Sequence, residues 1–481
     1  MRQSVQFTRA ALACALSLAA APLHARGPAD PPVRAATPHA GEAVVRVSPR
    51  SPIDAALVDS VSHDRWSCTV LEGRAEADYL IHLDDLRVLD TAGVPYRIII
   101  EDVEALLRAD EEARASGFED RAFFDDFQDF SAVRNYVASL VTQYPDMVKR
   151  ITLGFSLQSR EIFGYRVTSA VPAVGGSPRK PVVFIMSLQH AREWITPMAT
   201  LFTASYLLEN YQSDAGIRDI LDRYELVFVP LCNPDGYVNS WASDRLWRKN
   251  MRAATNQFPF GVDNNRNWSY GWGLSSGSSS SQSSETYRGT AAFSEPENQA
   301  IANYALQIPK VFAALDVHSY AGMVLRPWSY QSTKPPGLAS FDRIGNAMLA
   351  EITARTGITY EYGGPEILYL SSGTAPDWAF GTLGAVSFTV ELSSPNGGFV
   401  PPASSIIGTS NEALAAVLSM ITRLCPADFN MDNAVDDQDF QLFVASYDLL
   451  LTNAGDLTGD GLTEDSDFSL FCAAYDALTC P

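Results

Sequence analysis

Pro181-Val182-Val183-Phe184-Ile185-Met186-Ser187-Leu188-Gln189-His190-Ala191-Arg192-Glu193-Trp194-Ile195-Thr196 runs from an apolar segment into a His-x-x-Glu pair. The β-branched start and short length of Pro181–Met186 predict a buried strand. His190 and Glu193 stand three residues apart just past its end, and if the turn opens a helix both side chains converge on one point. One neutral imidazole and one carboxylate, joined by a distant second His, make the two-His-one-Glu set of a catalytic zinc site. The alternative is a solvated turn closed by a His–Glu hydrogen bond. The surrounding chain separates the two.

Working outward, Phe123–Tyr144 carries apolar residues at helical spacing. Strand candidates follow at Ile162–Val167, Val182–Met186, Leu226–Leu231, Val311–Val317 and Val386–Leu392, with helical stretches between them at Pro197–Glu209, Glu295–Gln307 and Ser340–Thr356. This alternation predicts an α/β fold with one mixed, largely parallel sheet covered by helices on both faces. Sites in such sheets lie outside the carboxyl ends of the strands. His190 falls at one such end, after Met186, and His318 at another, directly after Val317. That coincidence favours a shared metal over the solvated turn.

The chain has 481 residues, 46% hydrophobic and 19% charged, which indicates several globular domains rather than disorder. A net charge of −21 excludes nucleic acid as a natural partner, since phosphate rewards clustered Lys and Arg. Residues 1–25 read as a signal peptide, with Arg2 and Arg9 before the short apolar stretch Ala10–Ala21 and a cleavage site ending Leu23-His24-Ala25. The stretch is too short to span a bilayer comfortably, so the expectation is a secreted, extracellular or periplasmic protein with no membrane span after signal removal. Residues 26–42 are a Pro, Ala and Gly-rich linker.

From 43 to 121, strand-like runs (Ala43–Val47, Tyr79–His82, Tyr96–Ile100) alternate with helical patterns (Ile53–Ser62, Asp84–Ala92, Val103–Ala115). They predict a small α/β unit with its helices on one face. Arg114 and Arg121 lie in a charged connector after it, and the Ser-rich run Ser275–Ser284 reads as a flexible surface loop. Without Cys14, the cysteines are Cys68, Cys232, Cys425, Cys472 and Cys480, with no Cys-x-x-Cys pair to build a cysteine zinc cage. Cys425 and Cys480 bracket the last segment and could close it with a disulfide; Cys472 is the competing partner.

A zinc site also needs a carboxylate to take a proton from water. Glu391 ends Ser387-Phe388-Thr389-Val390-Glu391-Leu392, where a charge is costly unless it faces a site or a partner; the plainer alternative is an edge-strand Glu facing water. Asp244-Arg245-Leu246-Trp247-Arg248-Lys249-Asn250 and Gly261-Val262-Asp263-Asn264-Asn265-Arg266-Asn267-Trp268 place guanidinium groups, suited to carboxylates and oxyanions, beside tryptophans. Each could instead be a surface stacking and salt-bridge site.

Together with Gln189–Thr196, Asn233-Pro234-Asp235-Gly236-Tyr237, His318-Ser319-Tyr320 and Tyr369 before Ser371-Ser372-Gly373, these segments resemble the zinc metallocarboxypeptidases of the carboxypeptidase A/B family over residues 122–423. The two-His-one-Glu rule was itself drawn partly from such enzymes, so it agrees with the resemblance rather than adding to it. The resemblance implies that His190, Glu193 and His318 bind one zinc ion. It makes Glu391 the general base and then proton donor, and Arg248 the partner of the tetrahedral oxyanion. Asn265, Arg266 and Tyr369 would hold the free C-terminal carboxylate of a peptide or protein substrate. Arg192, Ser319 and Tyr320 would line the next subsite outward. None of these matched positions is substituted. The pocket for the terminal side chain would be set by Pro376, next to Asp377, and by Ser329, with Glu366 a candidate negative charge; apolar or broad specificity is expected. The 43–121 unit resembles the family's inhibitory propeptide in position and rhythm, with processing near Arg114 or Arg121; a folding aid or accessory domain is the alternative.

Residues 426–481 hold no Lys or Arg and twelve Asp and Glu. Asp428, Asn430, Asp432, Asp436 and Asp439 are spaced as oxygen ligands of a twelve-residue calcium loop, and Asp456, Thr458, Asp460, Glu464 and Asp467 repeat them 28 residues on. The apolar positions after each loop repeat as well (Phe440-Gln441-Leu442-Phe443 against Phe468-Ser469-Leu470-Phe471), as in a small α-helical, dockerin-like module. A scaffold protein, a cell-surface anchor or a structural cap are its expected uses. The whole chain therefore reads as a secreted zinc metallocarboxypeptidase made as a zymogen. The rivals are a related zinc amidase acting on cell-wall peptides and a non-catalytic, calcium-dependent adhesion protein.

Overall fold

The computed structural model describes residues 39–67, 69–71, 74–115, 122–170, 180–253, 260–395, 398–449 and 455–477. The expected signal peptide and all of the expected linker before residue 39 lie outside them, as do Cys68, Cys480, Arg121 and residues 171–179.

The front unit contains β1 (Glu42–Val47), α1 (Pro52–Val61), β2 (Ser62–Arg65), β3 (Thr69–Leu71), β4 (Arg74–His82), α2 (Leu86–Ala92), β5 (Tyr96–Ile100) and α3 (Val103–Ala115). Its strands form an antiparallel sheet in the order β2-β4-β1-β5, with β3 on β4. Successive strand residues point to opposite faces, and the sheet uses both. Val45, Val47, Tyr79 and Ile81 pack with Val58, Leu86 and Leu89 of its own helices. Val44 and Leu80 pack with Trp66, Leu246, Tyr320 and Phe399, which ties the unit to the larger body.

That body contains α4 (Phe130–Gln143), β6 (Val148–Phe155), β7 (Glu161–Val167), β8 (Val182–Ser187), α5 (Ile195–Asn210), α6 (Ala215–Arg223), β9 (Glu225–Val229), α7 (Pro234–Ala242), α8 (Pro296–Ala305), β10 (Val311–Ser319), β11 (Met323–Leu325), α9 (Leu338–Thr356), β12 (Glu361–Gly363), α10 (Ala375–Leu383), β13 (Val386–Leu392) and α11 (Ile406–Thr422). The sheet order is β12-β11-β13-β10-β8-β9-β7-β6. Its centre, β13-β10-β8-β9, is parallel, and antiparallel strands flank it. Val183 and Ile185 of β8 join one core with α4, α5, α6, α9 and α11, while Val182, Phe184 and Met186 join a second with α8 and α10. Burial on both faces is why β8 reads as an unbroken apolar run.

The structure has the expected α/β architecture and differs in detail. α5 begins only at Ile195, so His190 and Glu193 are brought together by the turn before the helix. His318 lies inside β10 rather than after it. The edge strand β6 was not expected: most of its residues are only half-buried and Gly154 interrupts the pattern, leaving no clear alternation.

Past α11, α12 (Asp437–Leu449) and α13 (Asp465–Ala477) each follow one acidic loop and share a small core of Ala427, Val435, Phe443, Leu457 and Phe471. Cys425 is disulfide-bonded whereas Cys472 and Cys232 are free thiols, which removes Cys472 as a competing partner. No helix among the described residues is long and apolar enough to cross a membrane.

Candidate active site

β8 and β10 are neighbours in parallel register, Met186 opposite Asp316 and Ser187 opposite Val317, so their carboxyl ends open side by side. Leu188 follows β8 in left-handed backbone (φ 60), a conformation costing roughly 1–2 kcal/mol for a side-chain-bearing residue. Hydrogen bonds hold that turn: Thr196 Oγ1 accepts from Leu188 N at 3.1 Å and donates to the Glu193 carbonyl at 3.0 Å.

The turn sets His190 Nδ1 2.7 Å from Glu193 Oε1 and 3.1 Å from His318 Nδ1, with His318 Nδ1 3.1 Å from Glu193 Oε2. Among the described residues these three make the one group of His, Cys, Asp or Glu gathered tightly enough to hold a metal ion, and all are buried. Each imidazole turns its other nitrogen to a carboxylate, His190 Nε2 to Asp263 at 3.1 Å and His318 Nε2 to Asp316 at 2.9 Å. Carboxylates behind the ring nitrogens orient ligand imidazoles in zinc sites. Burial opposes a charged His318, yet Asp316 and Glu193 hold its pKa well above the ordinary value. His190 and His318 likewise hold the Glu193 carboxyl well below its usual range against the cost of burial. The cluster is built around positive charge, and two imidazole nitrogens with one carboxylate suit zinc.

Around this cluster lies a cavity of about 520 Å³, and Arg248, Asn265, Arg266, Ser319, Tyr320, Tyr369 and Glu391 line it together with His190 and Glu193. Glu391 is held beside His318 by the parallel register of β13 on β10. Burial and the nearby Glu193 push its pKa up to about 7, with His318 opposing. Arg248 Nη2 donates to Asp263 at 2.8 Å while its buried Nε has no acceptor among the described residues. Arg266 is fixed by bonds from Nε to the Gly277 carbonyl and from Nη1 to the Asn265 carbonyl, both 2.7 Å, and its Nη2 reaches Tyr369 Oη at 3.1 Å. Asn265 places Nδ2 3.2 Å from His318 Nε2, and its Oδ1 accepts from Ala375 N at 3.0 Å. Arg192 is brought near but does not line the cavity: it stacks on Phe399, 4.0 Å from the ring centroid, and pairs with Asp64 of the front unit.

Other expectations change. The Ser-rich run is a wall of the cavity: Gly277 lies against the Leu370 backbone, Ser278 bonds Ser372, and buried Lys249 donates to the Gln282 and Ser284 carbonyls at 3.2 and 2.8 Å. Composition carries no information about such tertiary anchors. Glu366 is not free to charge a pocket, because Arg326 and Lys334 both pair with it. Ser329 lines the cavity, whereas Pro376 is buried within α10 and Asp377 accepts from the Ser329 and Tyr330 amides. Asp263 and Asp316 were missed as partners of the imidazoles. Asp316, a lone charge in the apolar run of β10 and two residues before His318, carried a readable signal.

This is a metallohydrolase centre at the carboxyl edge of a mixed α/β sheet. Residues 133–416 match the family model for zinc carboxypeptidase, and the chain belongs to that family. It is 31% identical to human carboxypeptidase A1, covering 69% of this chain and 80% of that protein. It is 30% identical to bovine carboxypeptidase B, covering 75% and 84%. A solved carboxypeptidase A from Helicoverpa armigera superposes with a TM-score of 0.69 at 28% identity, covering 80% of this chain and 98% of that one. The protein is a metallocarboxypeptidase, a zinc-dependent hydrolase.

Proposed function

We propose that this enzyme is a secreted zymogen that releases the last residue of peptides bearing a free C-terminal carboxylate. The observation that carries this is the Arg266–Tyr369 pair in the same cavity as Glu391 and the His190–Glu193–His318 cluster. A guanidinium and a phenol side by side in that cavity, with Asn265 beside them, suit a terminal carboxylate. When bound by His190, Glu193 and His318, zinc supplies Lewis acidity toward the scissile carbonyl and lowers the pKa of water. Glu391, poised near neutrality, takes a proton from water and hands it to the leaving amine nitrogen. Arg248, which lines the cavity and whose buried Nε has no acceptor among the described residues, holds the oxyanion. Ser319, Tyr320 and Arg192 receive the preceding residues. Leu325, Ser329, Leu368 and Thr389 give the terminal side chain an uncharged wall, which favours neutral residues.

Several contacts support a zymogen. Asp64 pairs with Arg192, Asp78 accepts from Tyr320 Oη at 3.1 Å, Arg65 lies over the Tyr369 ring at 5.3 Å, and residues 62–67 line the cavity. The front unit thus occupies the groups a peptide would need. Secretion rests on the residue 1–25 pattern. Calcium for the C-terminal loops rests on their repeated oxygen ligands and is testable as a rise in melting temperature on adding the ion. For the enzyme itself, matched free-acid and C-terminally amidated peptides decide: the processed protein should cleave the former and leave the latter intact. Equal cleavage of both would reject the carboxylate clamp.

A further inference from the structure

Of the three uses expected for the C-terminal module (a scaffold partner, a cell-surface anchor or a structural cap), its contacts favour the last, because they point inward. In the first loop, positions four and six are Met431 and Asn433, both in left-handed backbone (φ 59 and 76); in the second they are Gly459 and Gly461 (φ 78 and 92). Glycine takes that conformation freely, whereas Met pays roughly 1–2 kcal/mol for it. An unfavourable residue retained at such a position calls for something its side chain does. Met431 fits against Gly337, where a Cβ would come within 2.5 Å of the Met431 Cβ, and it packs onto the large core. Asn433 Oδ1 accepts from Ser340 Oγ at 2.9 Å and from Arg343 Nε at 2.8 Å, both on the first turns of α9. Ser340 also donates to Asp428 at 3.2 Å.

The glycines of the second loop make the matching contact by being small. A Cβ on Gly459 would lie 2.6 Å from the Lys180 carbonyl carbon and Pro181 nitrogen, and one on Gly461 would lie 3.3 Å from Pro309. Lys180-Pro181 enters β8 and Pro309-Lys310 enters β10, the two strands that carry His190 and His318 at or near their other ends. Asp456 adds an attractive charge toward Lys310. We propose that the partner of the acidic module is this chain's own catalytic unit, gripped through positions four and six of both loops, so that the module braces the rear ends of the zinc-bearing strands.

Hydrogen–deuterium exchange on the full chain tests this. Met431→Gly with Asn433→Gly gives the first loop the glycine pattern of the second, relieving backbone strain while removing the docking side chains. Amides of residues 338–343 should then exchange at least tenfold faster while α12 and α13 stay protected. Unchanged exchange at 338–343 would overturn the proposal. Ser340→Ala with Arg343→Ala alters no residue of the module and decides the matter if the loop variant fails to fold. It should speed exchange across 428–436 by a similar factor, and parental protection there would equally overturn the proposal.

Discussion

Asp64→Ala in the unprocessed chain tests the front unit most directly. Arg192 is 2% exposed and Asp64 10%, so their ion pair is desolvated, and Arg192 Nε and Nη2 have no other acceptor among the described residues. Removing one member of a buried pair costs about 3–5 kcal/mol, because the other charge stays buried and uncompensated. That penalty falls on the closed state alone, since undocking returns Arg192 to water. Asp64 keeps 10% exposure, so the lower end applies, and about 3 kcal/mol corresponds to roughly a hundredfold more open molecules. Asp78–Tyr320, His39–Asp244 and Trp66 against Phe399 should keep the unit attached. Initial rates on a free-acid peptide, with intact mass checked before and after, should rise about a hundredfold over the unprocessed parent. If processing removes the front unit, as proposed, the two should then be indistinguishable. A folded, zinc-loaded Asp64→Ala zymogen as silent as its parent would refute the reasoning.

Glu391→Gln should lower kcat by roughly two to four orders of magnitude while zinc content by mass spectrometry stays at the parent level; wild-type turnover would remove Glu391 as base. Asp316→Asn should weaken zinc binding by about 10–100-fold in a chelator competition, since it loosens the orientation of His318. The attachment of the front unit should also depend on pH through His39, which lies between Glu42 at 2.7 Å and Asp244 at 3.1 Å. Burial disfavours its charge, yet the two carboxylates raise its pKa from 6.5 to about 9, and His39 in turn lowers both of theirs. The charged His39 therefore favours docking fully below pH 6.5 and loses that contribution as pH rises through about 9. Asp244 contributes above its ordinary value of 3.8 and loses that contribution as pH falls through its lowered one, whereas the lowered pKa of Glu42, on the same unit as His39, stabilises that unit's own fold. A nicked front unit should co-elute with the catalytic unit near pH 6 and separate more readily above 9 and in strong acid; His39→Gln should abolish the alkaline step.

The His190–Glu193–His318 cluster was legible because its histidines sit where a buried apolar run stops or admits a charge. β8 and β10 read as strands, and His190 and His318 mark the end at which a site belongs. The place of Glu391 in the cavity was legible for the same reason, as a charge closing the apolar run of β13. The Ser275–Ser284 run was not, since its place in the cavity wall depends on Lys249 and Arg266, residues that come earlier in the chain and meet it only after folding. The inward face of the front sheet was half legible: alternation in β1 and β4 shows two apolar faces, but that Val44 and Leu80 meet Tyr320 and Phe399 is a fact of the packed chain.

The two appendages meet opposite ends of the same strands. The front unit reaches the carboxyl ends through Asp64 and Arg192, just past β8, and through Asp78 and Tyr320, just past β10. The module meets the amino ends of those strands at Lys180-Pro181 and Pro309. Activation on the zymogen reading therefore removes contacts from one edge of the sheet and leaves the other edge braced. The two contacts are far enough apart to share no residue, and effects of separate, non-touching sites on stability generally add. Combining Asp64→Ala with Ser340→Ala and Arg343→Ala should accordingly give the product of the single effects on zymogen rate and on melting. A departure well beyond additivity would mean that the strands transmit strain between the edges, and that bracing and inhibition are one device.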